Sequence, residues 1–134
     1  MNYAVFAYGT LIFQEILQAV IGRGYCGMEV HLHDYARYRI RGCVYPAIIR
    51  QTGASVPGLL YKGLDKADLH RLDDYESDFY ERREVQVEAG PKENIHAWAY
   101  IIPEKNRHVL LNKSWNPDLF AARHFRQYLE NIRI

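Results

Sequence analysis

The sequence is short of three things: cysteine, net charge and long apolar runs. Only two cysteines occur, Cys26 and Cys43, with no metal-ligand spacing around them. They read as reduced thiols of a cytoplasmic protein, with a bridge between them as the alternative. Seventeen basic against sixteen acidic residues leave a formal charge of +1. No overall field draws the chain to nucleic acid or to an anionic membrane. No apolar stretch approaches the roughly 20 residues that a membrane span needs. Met1-Asn2-Tyr3 lacks a basic lead, and the apolar residues behind it stop at Gly9-Thr10, so no signal peptide is expected. Repeats and low-complexity tracts are missing as well.

What is present is apolar and aromatic. About half the 134 residues are hydrophobic and eleven are tyrosine, enough for the core of one compact domain spanning residues 1–134. Tyrosine suits half-buried strands and pocket walls, because its ring is apolar and its tip is polar.

Residues 3–8 form an apolar run ending at Gly9, which reads as a buried strand. Thr10 then caps a helix to about residue 20, closed by Gly22 and Gly24. Residues 25–41 alternate as one bent strand or two short ones. Residues 44–50 and 56–61 read as strands around a turn at 51–54. Residues 65–76 carry cap candidates Asp65 and Asp68 and the stripe Leu69, Leu72. Residues 81–88 alternate strictly, and residues 95–102 form a strand that Pro103 ends. Pro117 opens a single amphipathic final helix. The pattern is too irregular for repeated βαβ units. It predicts an α+β fold with a mixed, barrel-like sheet flanked by helices.

Two places carry chemistry. The first is Phe6-Ala7-Tyr8-Gly9-Thr10-Leu11. A strand that turns through glycine into a helix leaves main-chain N–H groups for an anion. The alternative is an ordinary strand–turn–helix joint. The second is Leu72-Asp73-Asp74-Tyr75-Glu76. Residue 76 lies seven positions past Leu69, a rotation of only about 20°. Glu76 therefore shares the core-facing stripe, and loss of water there raises a carboxylate's proton affinity. The adjacent helix C-terminus acts in the same direction. Such a group can take and return a proton near neutral pH. Asp73 is the rival on the same helix, and fraying of Glu76 into solvent is the other alternative.

Other polar residues promise less. His31 and His33 lack a third ligand and read as a polar strand face. Arg37, Arg39 and Arg41 share a parity and read as a solvated strand face. Trp98 and Trp115 read as core or pocket-edge aromatics.

The two chemical segments occur in order with Tyr45-Pro46-Ala47-Ile48 and Tyr80-Glu81-Arg82-Arg83-Glu84-Val85. In that order the chain resembles the γ-glutamylcyclotransferase-like family. It is most similar to the short branch of γ-glutamylamine cyclotransferase and the plant avirulence-induced proteins. The resemblance implies a mixed-strand barrel with helices and a loop at Tyr8, Gly9, Thr10 and Leu11 that binds the γ-glutamyl group. It further implies Glu76 as catalytic acid/base, with Tyr80, Arg82 and Tyr100 around or supporting the cavity. The implied reaction cyclises a γ-glutamyl amine, amino acid or peptide to 5-oxoproline and releases the amine, with no metal or organic cofactor. The expected partner is that small molecule, not nucleic acid or membrane. A non-catalytic ligand- or partner-binding module is the alternative. Arg82 raises a conflict: alternation sets it with Glu84 and Gln86 on the polar side, which serves only if that side meets the cavity. Ser77 departs from the pattern, because many relatives carry glycine there.

Overall fold

The structure is a computed structural model that describes residues 2–132. Strand β1 (Tyr3–Ala7) pairs antiparallel with β3 (Pro46–Leu64) on one side and parallel with β5 (Glu93–Ile101) on the other. β5 forms a hairpin with β4 (Glu81–Gly90), and β4 meets β2 (Gly27–Ile40). A long β2–β3 ladder then closes the order into a ring, and β6 (Leu110–Ser114) adds to β2. Both parallel and antiparallel pairs are present, as the α+β reading expects.

Residues 51–54, expected as a turn between two strands, lie inside the single strand β3. They bulge out opposite one residue, Asp34, between the pairs His33↔Ser55 and Tyr35↔Arg50. Asp34 and Gly53 both have positive φ, 64° and 87°, and the Gly53 N–H donates to Asp34 Oδ1 at 3.0 Å. The device bends both strands at once, which lets a two-stranded ribbon curl into a ring.

Alternation sorts the strand side chains into two cores. Phe6, Tyr8, Val30, Ile48, Leu60 and Val87 fill the space that the ring encloses. Their neighbours of opposite parity, Val5, Ala7, Tyr61 and Tyr100, meet α1 (Gln14–Ile21) through Ile16 and Leu17. The same face meets α2 (Lys66–Glu76) through Leu69 and Leu72. Thr10 does not cap α1. It opens a separate 3-10 helix, Thr10–Ile12, and α1 begins after Phe13. The C-cap of α1 is Gly22 at φ 84°, a conformation in which glycine is the least strained residue.

The expected single final helix is two, α3 (Pro117–Arg123) and α4 (Phe125–Ile132), broken at His124. Phe120 and Phe125 lie on either side of the break, and both pack on Phe13, with centroids 5.4 and 5.2 Å away. Asn116 caps α3 by accepting from the N–H of Asp118 at 2.8 Å. Among the described residues no helix is long and apolar enough to cross a membrane.

Candidate active site

Four carbonyls fix the turn that follows β1. The Tyr8 carbonyl accepts from Arg37 Nη1 at 2.7 Å, and that of Leu11 from the Tyr61 hydroxyl at 2.8 Å. Between them, Gly9 and Thr10 carbonyls accept the N–H groups of Ile12 and Phe13 at 3.1 and 3.2 Å. Thr10 Oγ1 also shares a 2.8 Å bond with the Tyr75 hydroxyl. Every acceptor of the turn is thus occupied. None of the turn, loop or side-chain hydrogen bonds among the described residues uses the N–H of Gly9, Thr10 or Leu11. Gly9 is required for packing rather than for a positive φ. A Cβ on it would stand 3.0 Å from both Cγ and Cδ of Pro46. That contact explains physically why the turn and Tyr45-Pro46 go together.

A cavity of about 350 Å³ opens beside this turn. Its wall includes Tyr8, Gly9, Thr10 and Leu11 from the turn and Glu76 and Ser77 from the end of α2. Asp65 starts α2 with a reciprocal cap to Asp68, so the helix begins in a fixed register. Leu69 and Leu72 are buried, and the same stripe carries Glu76 to the cavity instead of into bulk water. Six tyrosines, Tyr8, Tyr45, Tyr75, Tyr80, Tyr100 and Tyr128, complete most of the wall.

Among the described residues Glu76 is the only charged side chain on that wall. Burial pushes its carboxyl up from 4.5 to about 8. Its side chain is half-buried and lines the cavity, and the protein packed around it governs its proton affinity. Burial, and beyond it the nearby Glu76 charge, also holds Tyr8 and Tyr80 well above the usual phenol range. Tyr75, Tyr100 and Tyr128 are raised by burial too, and Tyr45, beside the Cys43 thiol, is pushed up to about 12. The phenols therefore stay protonated near pH 7, and Glu76 is the wall group that exchanges a proton there.

Several hydroxyls are committed to the wall itself. Tyr8 donates to the Tyr100 carbonyl and Tyr80 to the Pro46 carbonyl, each at 2.6 Å. Tyr75 hydrogen-bonds Tyr128 as well as Thr10, so α4, α2 and the turn are joined by one chain of hydroxyls. The Tyr100 hydroxyl leaves the cavity for Asp73 Oδ1 at 2.7 Å.

Arg82 does not line the cavity. It grips Asp73 through Nε at 2.9 Å and Nη2 at 3.3 Å, and its guanidinium lies 4.7 Å from the Trp98 ring centroid. From the polar side of β4, Arg82 is met by Asp73 of α2, while Glu84 and Gln86 on that side stay exposed. Asp73, the rival carboxylate, is thereby tied to Arg82 and Tyr100 behind the wall. Tyr45, Tyr75, Phe79, Tyr128 and Ile132 line the cavity although none was singled out from sequence. Tyr45 and Tyr75 stood inside quoted motifs; Tyr128 and Ile132 carried no signal.

Ser77 caps α2 at φ 60° and ψ −167°, a region occupied almost only by glycine. Glycine at this position would fit the backbone directly.

The sequence profile of the family described as "Gamma-glutamyl cyclotransferase, AIG2-like" matches residues 5–117. The chain belongs to this family. It is 29% identical to AIG2-like protein D of Arabidopsis thaliana over 128 residues, covering 94% of this chain and 78% of the relative. It is 25% identical to Arabidopsis protein AIG2 C over 133 residues, covering 98% and 80%. Among solved structures, an Arabidopsis protein determined in solution superposes with a TM-score of 0.75 at 24% identity, covering 99% of this chain and 81% of the other. A structure named "Gamma-glutamyl cyclotransferase" superposes at 0.69 with 17% identity, covering 99% and 87%. Both likenesses establish the family's fold. Tyr128 and Ile132 lie outside the matched residues, so α4 supplies wall that the profile does not describe.

Proposed function

We propose that this chain is a γ-glutamyl cyclotransferase with Glu76 as general acid/base. The reading rests above all on one observation: Glu76, the sole carboxylate of the cavity among the described residues and held near pKa 8, shares that cavity with the Gly9–Leu11 turn, whose N–H groups enter none of the turn, loop or side-chain hydrogen bonds of those residues. The substrate is a γ-glutamyl amine, amino acid or peptide, and the site is cytoplasmic in its expected setting, where Cys26 and Cys43 remain thiols.

The chemistry follows from that pairing. The substrate's α-amine nitrogen attacks its own γ-carbonyl carbon and closes a five-membered ring. Folding the substrate inside the cavity turns this into an oriented intramolecular step. Glu76 takes the proton that the amine loses. The N–H groups of Gly9, Thr10 and Leu11 stabilise either the substrate carboxylate or the oxyanion that develops on the carbonyl. The bond to the leaving nitrogen then breaks, and Glu76 returns the proton to it. The products are 5-oxoproline and a free amine, and the proton count balances without a cofactor. Tyr80 and Tyr100 hold the wall, and Arg82 acts through Asp73.

Incubation with a panel of γ-glutamyl amines, amino acids and peptides, read by mass spectrometry, is expected to yield 5-oxoproline. Glu76→Gln should lower kcat by about 10²–10⁴-fold. No product from any member of the panel, or equal product from the variant, refutes the proposal. Ligand binding without turnover, unchanged by Glu76→Gln, is the outcome of the binding-module alternative.

A further inference from the structure

Arg37 was expected on a solvated strand face with Arg39 and Arg41. Arg39 and Arg41 are exposed, but Arg37 is half-buried. Its guanidinium donates to the Tyr8 carbonyl and lies 5.2 Å from the Trp115 ring centroid. No carboxylate among the described residues forms an ion pair with it, whereas the half-buried Arg82 has Asp73 and Arg107 has Glu104. A guanidinium has five N–H donors, and one carbonyl uses one of them. Loss of water disfavours its charge and lowers its proton affinity. A desolvated cation of this kind is stabilised by an anion that can take its remaining donors.

Arg37 also lines a groove of about 450 Å³, separate from the catalytic cavity. The groove runs over Ile12, Phe13, Pro57, Leu59 and Pro117, with Glu29 and His31 on exposed β2 positions. Most of its lining is thus apolar, with Arg37 its one permanent cation among the described residues. Gly58 lets the strand behind the groove lie close against β1, since a Cβ there would stand 2.3 Å from the Ala7 carbonyl oxygen and 2.6 Å from Phe6 Cε1 on the inner side of the ring.

We propose that this groove is a second ligand site, taking a small monocarboxylate with an apolar tail: Arg37 receives the carboxylate, and the Ile12–Phe13–Leu59 wall receives the tail. Arg37 gives its other bond to Tyr8, the residue just before the Gly9 turn. The same side chain therefore touches the groove ligand and the backbone of the catalytic wall. Binding in one place biases the other, and the coupling is reciprocal.

The test is titration of the ¹⁵N-labelled full-length protein with 3-phenylpropionate, and with 3-phenylpropionamide as its uncharged control, followed by NMR. The acid is expected to give saturable shifts at Ile12, Phe13 and Leu59, spreading to Gly9 and Thr10. The amide should bind at least tenfold more weakly. Arg37→Gln, with a dispersed spectrum, should lose at least tenfold in affinity for the acid. His31→Glu, which sets a negative charge on an exposed groove position and leaves Arg37 in place, should weaken the acid about threefold or more. It decides the matter if Arg37→Gln does not fold. The proposal is overturned by any of three results: no saturable shift, equal binding of acid and amide, or shifts centred on Ser77 and Tyr80 in the catalytic cavity. Unchanged affinity in whichever variant folds overturns it as well.

Discussion

Glu76 should make the protein less stable as pH rises, and replacing it should remove that dependence. The carboxyl ionises near 8 in the folded protein against 4.5 in its ordinary state. Between these values the folded chain binds more protons than the unfolded chain, so stability falls with increasing pH. Below about 4.5 the group is protonated in both states and imposes no ionisation penalty; above about 8 it is charged in both, and the penalty is complete and constant. One pH unit inside the window is worth at most about 1.4 kcal/mol. From pH 5 to pH 7 the upper bound is about 3 kcal/mol; water entering through the cavity reduces it to about 1–2 kcal/mol. Urea unfolding of the natural chain and Glu76→Gln at pH 5, 6, 7 and 8 measures it. The glutamine side chain loses the titration but keeps the volume, and other titrating groups cancel in the difference between the two proteins. The variant should gain relative stability steadily from pH 5 to pH 8. A difference that stays constant across this range would mean that residue 76 is well hydrated, and the acid/base argument would fail with it.

Three further substitutions probe the surroundings. Ser77→Gly should raise stability by about 1 kcal/mol in urea unfolding: relief of roughly 1–3 kcal/mol of backbone strain exceeds the roughly 0.5–1 kcal/mol that glycine gains in the unfolded chain. A less stable variant would show that the backbone at 77 is not strained. Gly9→Ala drives a methyl against the Pro46 ring and should cost about 1–3 kcal/mol in the same assay, with loss of 5-oxoproline formation; an unchanged midpoint would refute the contact. Asp73→Asn should weaken the grip of Arg82, lower stability by roughly 1 kcal/mol and lower kcat far less than Glu76→Gln does. The reverse ranking in kcat would make Asp73 the proton carrier.

Much of this arrangement could be read from local sequence pattern. The acidic residues at 65 and 68 and the leucines at 69 and 72 set both the register and the buried face of α2, and seven positions past Leu69 Glu76 falls on the same stripe, though periodicity alone left Asp73 and a frayed helix end as alternatives. The turn at Gly9 was equally visible, but its reason was not: Pro46 is thirty-seven positions away, and no periodicity reports which ring a missing Cβ makes room for. The same limit hides Tyr128, whose place on the wall depends on the break at His124 and on a hydroxyl contact with Tyr75. Arg37 was misread because parity gives the side of a strand but not what later covers it. β6 was not foreseen, and Trp115 follows it directly. Arg82 shows the converse: parity put it on the polar side correctly, and only its pairing with Asp73 of α2 draws it partly under cover while Glu84 and Gln86 stay exposed.

The chemistry of the cavity lies in how burial treats its two kinds of acid. Desolvation raises every acid that must become an anion, and here it raises phenols and carboxyl alike. The consequences differ because the starting points differ. A phenol raised from 10 leaves the physiological range and becomes a fixed hydrogen-bond donor, as Tyr8 and Tyr80 are to main-chain carbonyls. A carboxyl raised from 4.5 to about 8 enters that range. One physical cause therefore yields a wall of groups that cannot take part in proton exchange and one group that can. The cost falls on the end of α2, where an ionisable side chain without a hydrogen-bond partner among the described residues adjoins a serine in a glycine conformation. The bonds from Arg82 and Tyr100 to Asp73, one turn earlier, hold that end in place. If those bonds were cut, the helix end could relax, Ser77 could leave its positive φ, and Glu76 could reach water. The Arg82 grip thus acts on the carboxylate only through the end of α2, without any place for Arg82 on the cavity wall.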